Sequence, residues 1–298
     1  MISESLEDSD KSPFQSEAWL DNCGADCSLI FKSSRDKGDC AVARISLRGI
    51  HTLITPPWAL DCGFTGGIKT YCELNEFWAS QPEHIKIIDI PPCSDSDKRL
   101  TSFAIKNNTS SRFRIQWRHT RQIDLAKKLP SNRSKQVRRA TKENIDCRLV
   151  ENWNRVSTLH KESRIRKDIS LNLEQLDKLL AAISQENYSF AVEAVNENGN
   201  CIASGGFIIL DPNTCLYAFG GQKRGPQSAI ASVAMLAKAM DIAKEKGATI
   251  FDFGGSEDPG VDRFYKEFGA ERVKKARLIY VVWWLKPILR FIRPDLMP

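Results

Sequence analysis

The sequence is short of the residues that most site chemistries need. Only four histidines occur among its 298 residues, at 51, 84, 119 and 160, and none stands in a motif that assigns a Ser-His-Asp arrangement. The nine cysteines are an odd number with no repeated close pair at zinc-site spacing, so no metal is expected. Cys23 and Cys27, four apart, are near enough in sequence to touch on a helical turn. No apolar run approaches the roughly eighteen residues that crossing a bilayer demands. Residues 1–10 are acidic and polar, unlike a secretory signal. These absences predict a cytoplasmic protein with reduced cysteines, no metal and no tightly bound cofactor.

What is there is ordinary in bulk and uneven in place. A composition of 42% hydrophobic and 27% charged residues can fill one large or two medium domains with a sizeable core. The net charge of +6 concentrates between Arg112 and Arg148, where twelve Lys or Arg face three Asp or Glu. An anionic partner follows as an expectation.

The stretch Thr249 to Ala270 organises the rest. An apolar run stops at Asp252, Gly254 and Gly255 follow, and Pro259 opens a helix with Val261, Phe264, Tyr265 and Phe268 at helical spacing before Gly269 ends it. Asp258 and Glu257 cap that helix, and Phe264 with Phe268 belongs to the core. Upstream, Ile230, Val233, Ala237 and Met240 mark a longer helix that stops at Gly247. Helix, strand, glycine pair and helix in series predict an α/β layer, with ligands beyond the carboxyl ends of its strands.

Earlier, Ser16 caps a short helix, Leu29–Phe31 and Cys40–Leu47 read as strands, and Ile85–Ile90 as another. Helices are expected over Tyr71–Ser80 and Ser94–Lys106, then a strand with a basic outer face over Ser111–Trp117. Trp58 ends a Pro-Pro corner that either lines a site or packs a plain surface loop. Thr120 to Leu129 reads as a helical piece interrupted by Pro130; Ser131 then caps a second helix, on which Lys135, Arg138, Arg139 and Lys142 share one face. That face either meets phosphate or is solvated beside neighbouring acids. Strands follow at Asp146–Val150, Tyr188–Val195, Cys201–Leu210 and Thr214–Phe219, with helices over Trp153–Ile165 and from Leu173 to Ile183, and a last strand at Lys275–Trp284.

From about Pro13 to Trp284 the chain resembles the Fem-type branch of the GNAT acyltransferase superfamily. The pieces that carry the resemblance are Leu129 to Ala140, Ala218-Phe-Gly-Gly221, Phe251-Asp-Phe-Gly-Gly-Ser256, Pro259-Gly-Val261 and Phe264 to Ala270. It implies an α/β chain of tandem GNAT-like domains, each a mixed, mainly antiparallel sheet flanked by helices. The divisions expected are an acidic leader over 1–11, an N-terminal domain over 12–145 that includes the basic helix, a C-terminal domain over 146–285 and a basic apolar tail over 286–298.

The resemblance also implies transfer of an acyl or aminoacyl group to an amine, often of a cell-envelope sugar or peptide precursor. The donor would be acyl-CoA or aminoacyl-tRNA. Coenzyme-A-using members carry a Gln/Arg-x-x-Gly-x-Gly/Ala turn, and Gln222, Lys223, Arg224 and Gly225 stand at that place. Pro226 has no amide to offer a pyrophosphate, and Gln227 departs from the small last residue. The basic helix would then meet a larger phosphate-bearing donor, tRNA included, or a nucleotide-linked acceptor. Asp252 either accepts a proton from the acceptor amine or binds backbone amides at the Gly254-Gly255 crossing. Tyr265 either faces the cleft or lies at the surface. The tail from Val281 to Pro294 either lies on an anionic membrane surface or packs across the first domain. A non-catalytic RNA- or nucleotide-binding module on the same fold is the alternative reading.

Overall fold

A computed structural model describes residues 12–31, 40–63, 81–91, 114–168, 173–255, 258–293 and 296. The helices expected over Tyr71–Ser80 and Ser94–Lys106 lie outside the described residues, as do the leader and Glu257. The chain forms two compact units, Met1–His119 with Val273–Pro298, and Thr120–Arg272. This division differs from 12–145 and 146–285. The basic helix groups with the second unit and the last strand with the first, because each is held by partners remote in sequence.

In the first unit, α1 (Glu17–Leu20) starts at Ser16, whose hydroxyl accepts the Trp19 amide at 3.2 Å. Strands β1 (Asp26–Phe31), β2 (Cys40–Leu47), β3 (Ile50–Ile54) and β4 (Ile85–Asp89) lie in that order, and the final strand, β11 (Glu271–Val281), pairs beside β4. Only β3 and β4 run parallel; the other three pairings are antiparallel. Val42, Leu53, Ile88 and Leu278 fill the centre of one face. After a 3-10 turn at Trp283–Leu285, α7 (Lys286–Ile292) presses Leu289 onto Ile85, Ile279 and Val281. No described helix is long and apolar enough to cross a membrane.

Strand β5 (Arg114–Asp124) leads into the second unit. Thr120 to Asp124 is therefore extended rather than helical. Ile123 and Leu125 are buried around an exposed Asp124, a period of two, and residues 122–124 pair antiparallel with β10 (Ile250–Asp252). Then come α2 (Ser131–Lys142), β6 (Asp146–Val150), α3 (Asn154–Ile165), α4 (Leu173–Ile183), β7 (Ser189–Val195), β8 (Cys201–Asp211), β9 (Thr214–Gln222), α5 (Ser228–Glu245) and α6 (Pro259–Lys266). Pro130, not Ser131, is the N-cap of α2. The strand order is β6-β7-β8-β9-β10-β5, antiparallel except for β9 with β10. Helix α3 packs on β8 and β9, α5 packs on β7 and β8, and α2 packs on α5. Sandwiched in this way, α5 buries most of its circumference, including Ala231, Ala239 and Ala243.

The two units repeat one scheme. Neighbours β1-β2-β3-β4-β11 and β7-β8-β9-β10-β5 show the same succession of antiparallel, antiparallel, parallel and antiparallel pairings. The expected class, tandem mixed and mainly antiparallel sheets flanked by helices, is the one observed.

Candidate functional site

The parallel pairing of β9 with β10 is short: Ile250, Phe251 and Asp252 stand opposite Thr214, Cys215 and Leu216. Just beyond it β9 bulges. Phe219 pairs with Gly206 and Tyr217 with Phe207, leaving Ala218 with no counterpart on β8. Strand β9 continues to Gln222, while the chain leaves β10 through Phe253 to Gly254, whose φ of 73° is a left-handed value that glycine adopts without a Cβ clash. The two strands thus part at their carboxyl ends and leave a wedge. Glycines also let α3 lie directly on the bulged segment, because a Cβ at Gly221 would collide with the Leu159 carbonyl and one at Gly206 with the Trp153 ring.

Side chains of α3 hold the part of β9 that has outrun β10. His160 Nδ1 lies 3.2 Å from the Gly220 carbonyl oxygen and 3.1 Å from its amide nitrogen, and Arg164 Nε donates to His160 Nε2 at 3.3 Å. Burial, and then the charge of Arg164, lowers the His160 pKa to about 4, which leaves the ring neutral at pH 7. Arg166 donates to the Gln222 carbonyl at 3.1 Å.

Asp252 closes the floor of the wedge and is fully buried. It accepts from the Thr120 hydroxyl, from the Gly254 amide at 2.7 Å and from Gln122 Nε2 at 2.8 Å. These contacts tie the carboxylate to the Gly-Gly crossing. Gly255 is exposed. Tyr265 stacks on Phe253 with ring centroids 4.8 Å apart. Burial first, then neighbouring Tyr217, Asp252 and Asp258, raises the Tyr265 hydroxyl above the ordinary phenol range, and burial does the same to Tyr217. Both phenols are un-ionised proton donors at neutral pH.

At the rim, the loop from Gln222 to Gln227 is bonded to itself. The Gln222 side chain accepts from the Ser232 hydroxyl, the Ser228 hydroxyl donates to the Lys223 carbonyl, and the Ser228 amide donates to the Gly225 carbonyl at 3.2 Å. Lys223, Arg224 and Gly225 are exposed; Lys223 also lines a cavity of about 240 Å³ with Arg155 and Cys201. Gln227 Nε2 reaches Glu143 at 3.4 Å, which sets the end of α2 against this loop. On α2, Lys135, Arg138, Arg139 and Lys142 all face solvent; Arg139 pairs with Glu143 at 2.7 Å and Arg138 Nε reaches the Ser134 carbonyl at 3.3 Å.

Sequence reasoning therefore names two groups that the fold joins: Asp252, Gly254, Gly255 and Tyr265 in the wedge, and Gln222 to Gly225 with the basic helix at its rim. Trp58 belongs to the first unit, with φ of 68°, and follows a Pro57 carbonyl that accepts from Trp19 Nε1 at 3.2 Å. Three contributors were missed. His160 shares the buried face of α3 with Val156 and Leu159, and a histidine on an apolar face is the signal that was there. Tyr217 looked like one more strand residue. Arg133, two positions before Lys135 and on the opposite side of α2 from the basic face, turns inward instead: it pairs with Glu267 at 3.0 Å, donates to the Phe264 carbonyl at 2.9 Å and lies over the Phe264 and Phe268 rings at 4.5 and 4.6 Å. A separate cavity of about 480 Å³ is lined by Trp153, Ser157, Asp177 and Gln185.

No family profile matches the sequence, and no curated protein matches it. By structure the chain is similar to FemX, with a TM-score of 0.69 at 13% identity over 95% of this chain and 96% of that one. It is similar to L-PGS from Bacillus licheniformis, with a TM-score of 0.59 at 12% identity over 96% and 97%. A third match is the C-terminal domain of a protein assigned as a lysylphosphatidylglycerol synthetase from Agrobacterium fabrum, at 0.56 and 11% over 86% and 84%. Likeness at such low identity shows the fold alone: the chain has the architecture seen in FemX and L-PGS.

Proposed function

We propose that the chain is a transferase that moves an acyl or aminoacyl group from an activated donor to an amine, by direct attack in the wedge between β9 and β10. The observation that carries this reading is the wedge itself: a bulge at Ala218 parts two parallel strands beside two un-ionised phenols, Tyr217 and Tyr265. The nitrogen of the acceptor bonds to the donor carbonyl carbon, and the bond from that carbon to the leaving sulfur or oxygen breaks. The proton shed by the new ammonium ends on the leaving group. Tyr265 suits that relay, giving its hydroxyl proton to the leaving atom and regaining one from the amine. Holding the two reactants together supplies much of the remaining rate.

The rim favours aminoacyl-tRNA over acyl-CoA as donor. Pro226 lacks an amide and the Ser228 amide is bonded to Gly225, so two of the groups that would receive a pyrophosphate are out of use. Lys223, Arg224, Lys135, Arg138 and Lys142 instead offer the exposed cations that a longer phosphate backbone needs, without base readout. The acceptor in this reading is an amine of a cell-envelope sugar or peptide precursor, as the Fem-type likeness suggests. A non-catalytic RNA-binding module has one observation in its favour, the full engagement of Asp252 in structural hydrogen bonds.

Intact mass spectrometry of reactions containing amino-sugar and peptide precursors, with either charged tRNA or acyl-CoA, tests the proposal. A gain of one amino-acid residue with charged tRNA is expected. Saturable RNA binding with no transfer from either donor would replace the transferase by the module.

A further inference from the structure

We propose that the turn and helix from Trp283 to Ile292 form a docking surface for a bilayer rich in anionic lipid. This segment was readable from sequence in two ways, and the fold separates its residues between them. Leu285 and Leu289 are buried against Ile85, Ile279, Val281 and Leu296, so one seam of α7 packs on the first unit. The rest of its apolar side chains do not: Trp283 is 81% exposed, Trp284 45%, Ile288 51%, Phe291 90% and Ile292 68%. Among the described residues nine large hydrophobic side chains are exposed, and these five stand within ten positions of one another, so they form a patch rather than the usual scatter.

The charge pattern identifies the occupant. Ile288, Phe291 and Ile292, Ile288 being three and four before the other two, share one flank of α7, and Lys286 and Arg290, four apart, share the other, with Arg293 just past the helix end. Leu285 and Leu289 form the seam between the two flanks. No Asp or Glu occurs from Val282 to Arg293. An apolar row set beside a row of long cationic side chains matches the boundary between acyl chains and phosphate headgroups, with the ring of Trp283 and Trp284 suited to the same depth. A second copy of the chain is a poorer occupant, because a twofold contact through this patch would set the basic rows near one another. The inference does not depend on any catalytic activity.

Vesicle flotation of the full chain tests it, comparing phosphatidylcholine alone with phosphatidylcholine mixed with phosphatidylglycerol. Binding is expected to the mixed vesicles, with a blue shift of tryptophan fluorescence, and to weaken as salt is raised. The triple variant Ile288→Ser, Phe291→Ser, Ile292→Ser changes only exposed side chains, so its thermal melt should match the parent while its vesicle affinity falls roughly tenfold or more. Reversing Lys286, Arg290 and Arg293 to Glu should weaken binding by roughly fivefold for each base. The proposal is overturned if the parent does not float with mixed vesicles, if it floats equally with phosphatidylcholine alone, or if the triple variant binds as the parent does. It is also overturned if light scattering shows a dimer that the triple variant abolishes, which would make a second copy the occupant.

Discussion

Two buried aspartates end equivalent strands in the two units, Asp89 on β4 and Asp252 on β10. Each bonds to its register partner on the neighbouring antiparallel strand, Arg277 for Asp89 and Gln122 for Asp252. From there they diverge. Asp89 stands among cations: Arg277 at 2.8 and 3.1 Å, Lys275 at 3.6 Å and Arg118 at 3.7 Å. Asp252 is met by a hydroxyl, a carboxamide and a backbone amide. The strands beside them differ too. In the first unit β3 stops at Ile54, and the Thr55 amide and hydroxyl bond to Ile87 and Asp89, so the strands stay tied at this end. In the second, β9 outruns β10 by six residues, Tyr217 to Gln222, and the wedge opens. One pairing scheme thus yields a charge-locked junction in one unit and parted strand ends in the other.

The largest effect that would sharpen this contrast belongs to Asp89. Asp89→Asn leaves Arg277, buried Lys275 and Arg118 without their carboxylate and should cost about 3–5 kcal/mol in chemical denaturation. A loss under about 1 kcal/mol would mean that solvent, not Asp89, balances those cations.

Next comes the acid dependence of the second unit. The folded pKa of His160, about 4, lies below its ordinary value of 6.5, so the unfolded chain binds the extra proton between those limits. Stability therefore falls as pH drops from 6.5 toward 4, by an amount on the order of 3 kcal/mol. Urea melts across that window should show the loss in the parent and a flatter profile in His160→Gln. Equal slopes in both would remove His160 from the account.

Tyr265→Phe deletes the proposed proton relay while keeping the ring on Phe253. Turnover should fall about a hundredfold with little change in melting temperature. The smallest effect is expected at Asp252, which accepts from the Thr120 hydroxyl, Gln122 and the Gly254 amide: Asp252→Asn should cost about 1–3 kcal/mol and slow transfer less than about tenfold. A loss of transfer of about 10²–10⁴ with the fold intact would make Asp252 the base and break the comparison.

Local signals were legible and long-range ones were not. The start of helix α6 was readable to the residue, because Asp258 accepts the Gly260 and Val261 amides as an N-cap does and Pro259 opens it; the helix ends at Lys266, three residues before Gly269 with its φ of 89°. The hairpin from Asn196 to Asn200 was equally local. Thr120 to Asp124 misled because its polar residues carry no clear period; what makes it a strand is a partner well over a hundred residues away, Ile250 to Asp252. The same remoteness moved the unit boundary and hid the role of His160, whose partner Gly220 is sixty residues distant. Arg133 and Arg139 illustrate the limit of a charge count, since one arginine anchors α2 inward and the other faces solvent.

Hydrogen exchange of the full chain, with and without a hydrolysis-resistant aminoacyl-tRNA, tests the central claim most directly. The account predicts slowed exchange in Tyr217 to Gln222 and at Gly254 and Gly255, and none in the tied junction from Thr55 to Gly63 of the first unit. Bound donor with no protection in the wedge, or with protection confined to the first unit, would contradict it.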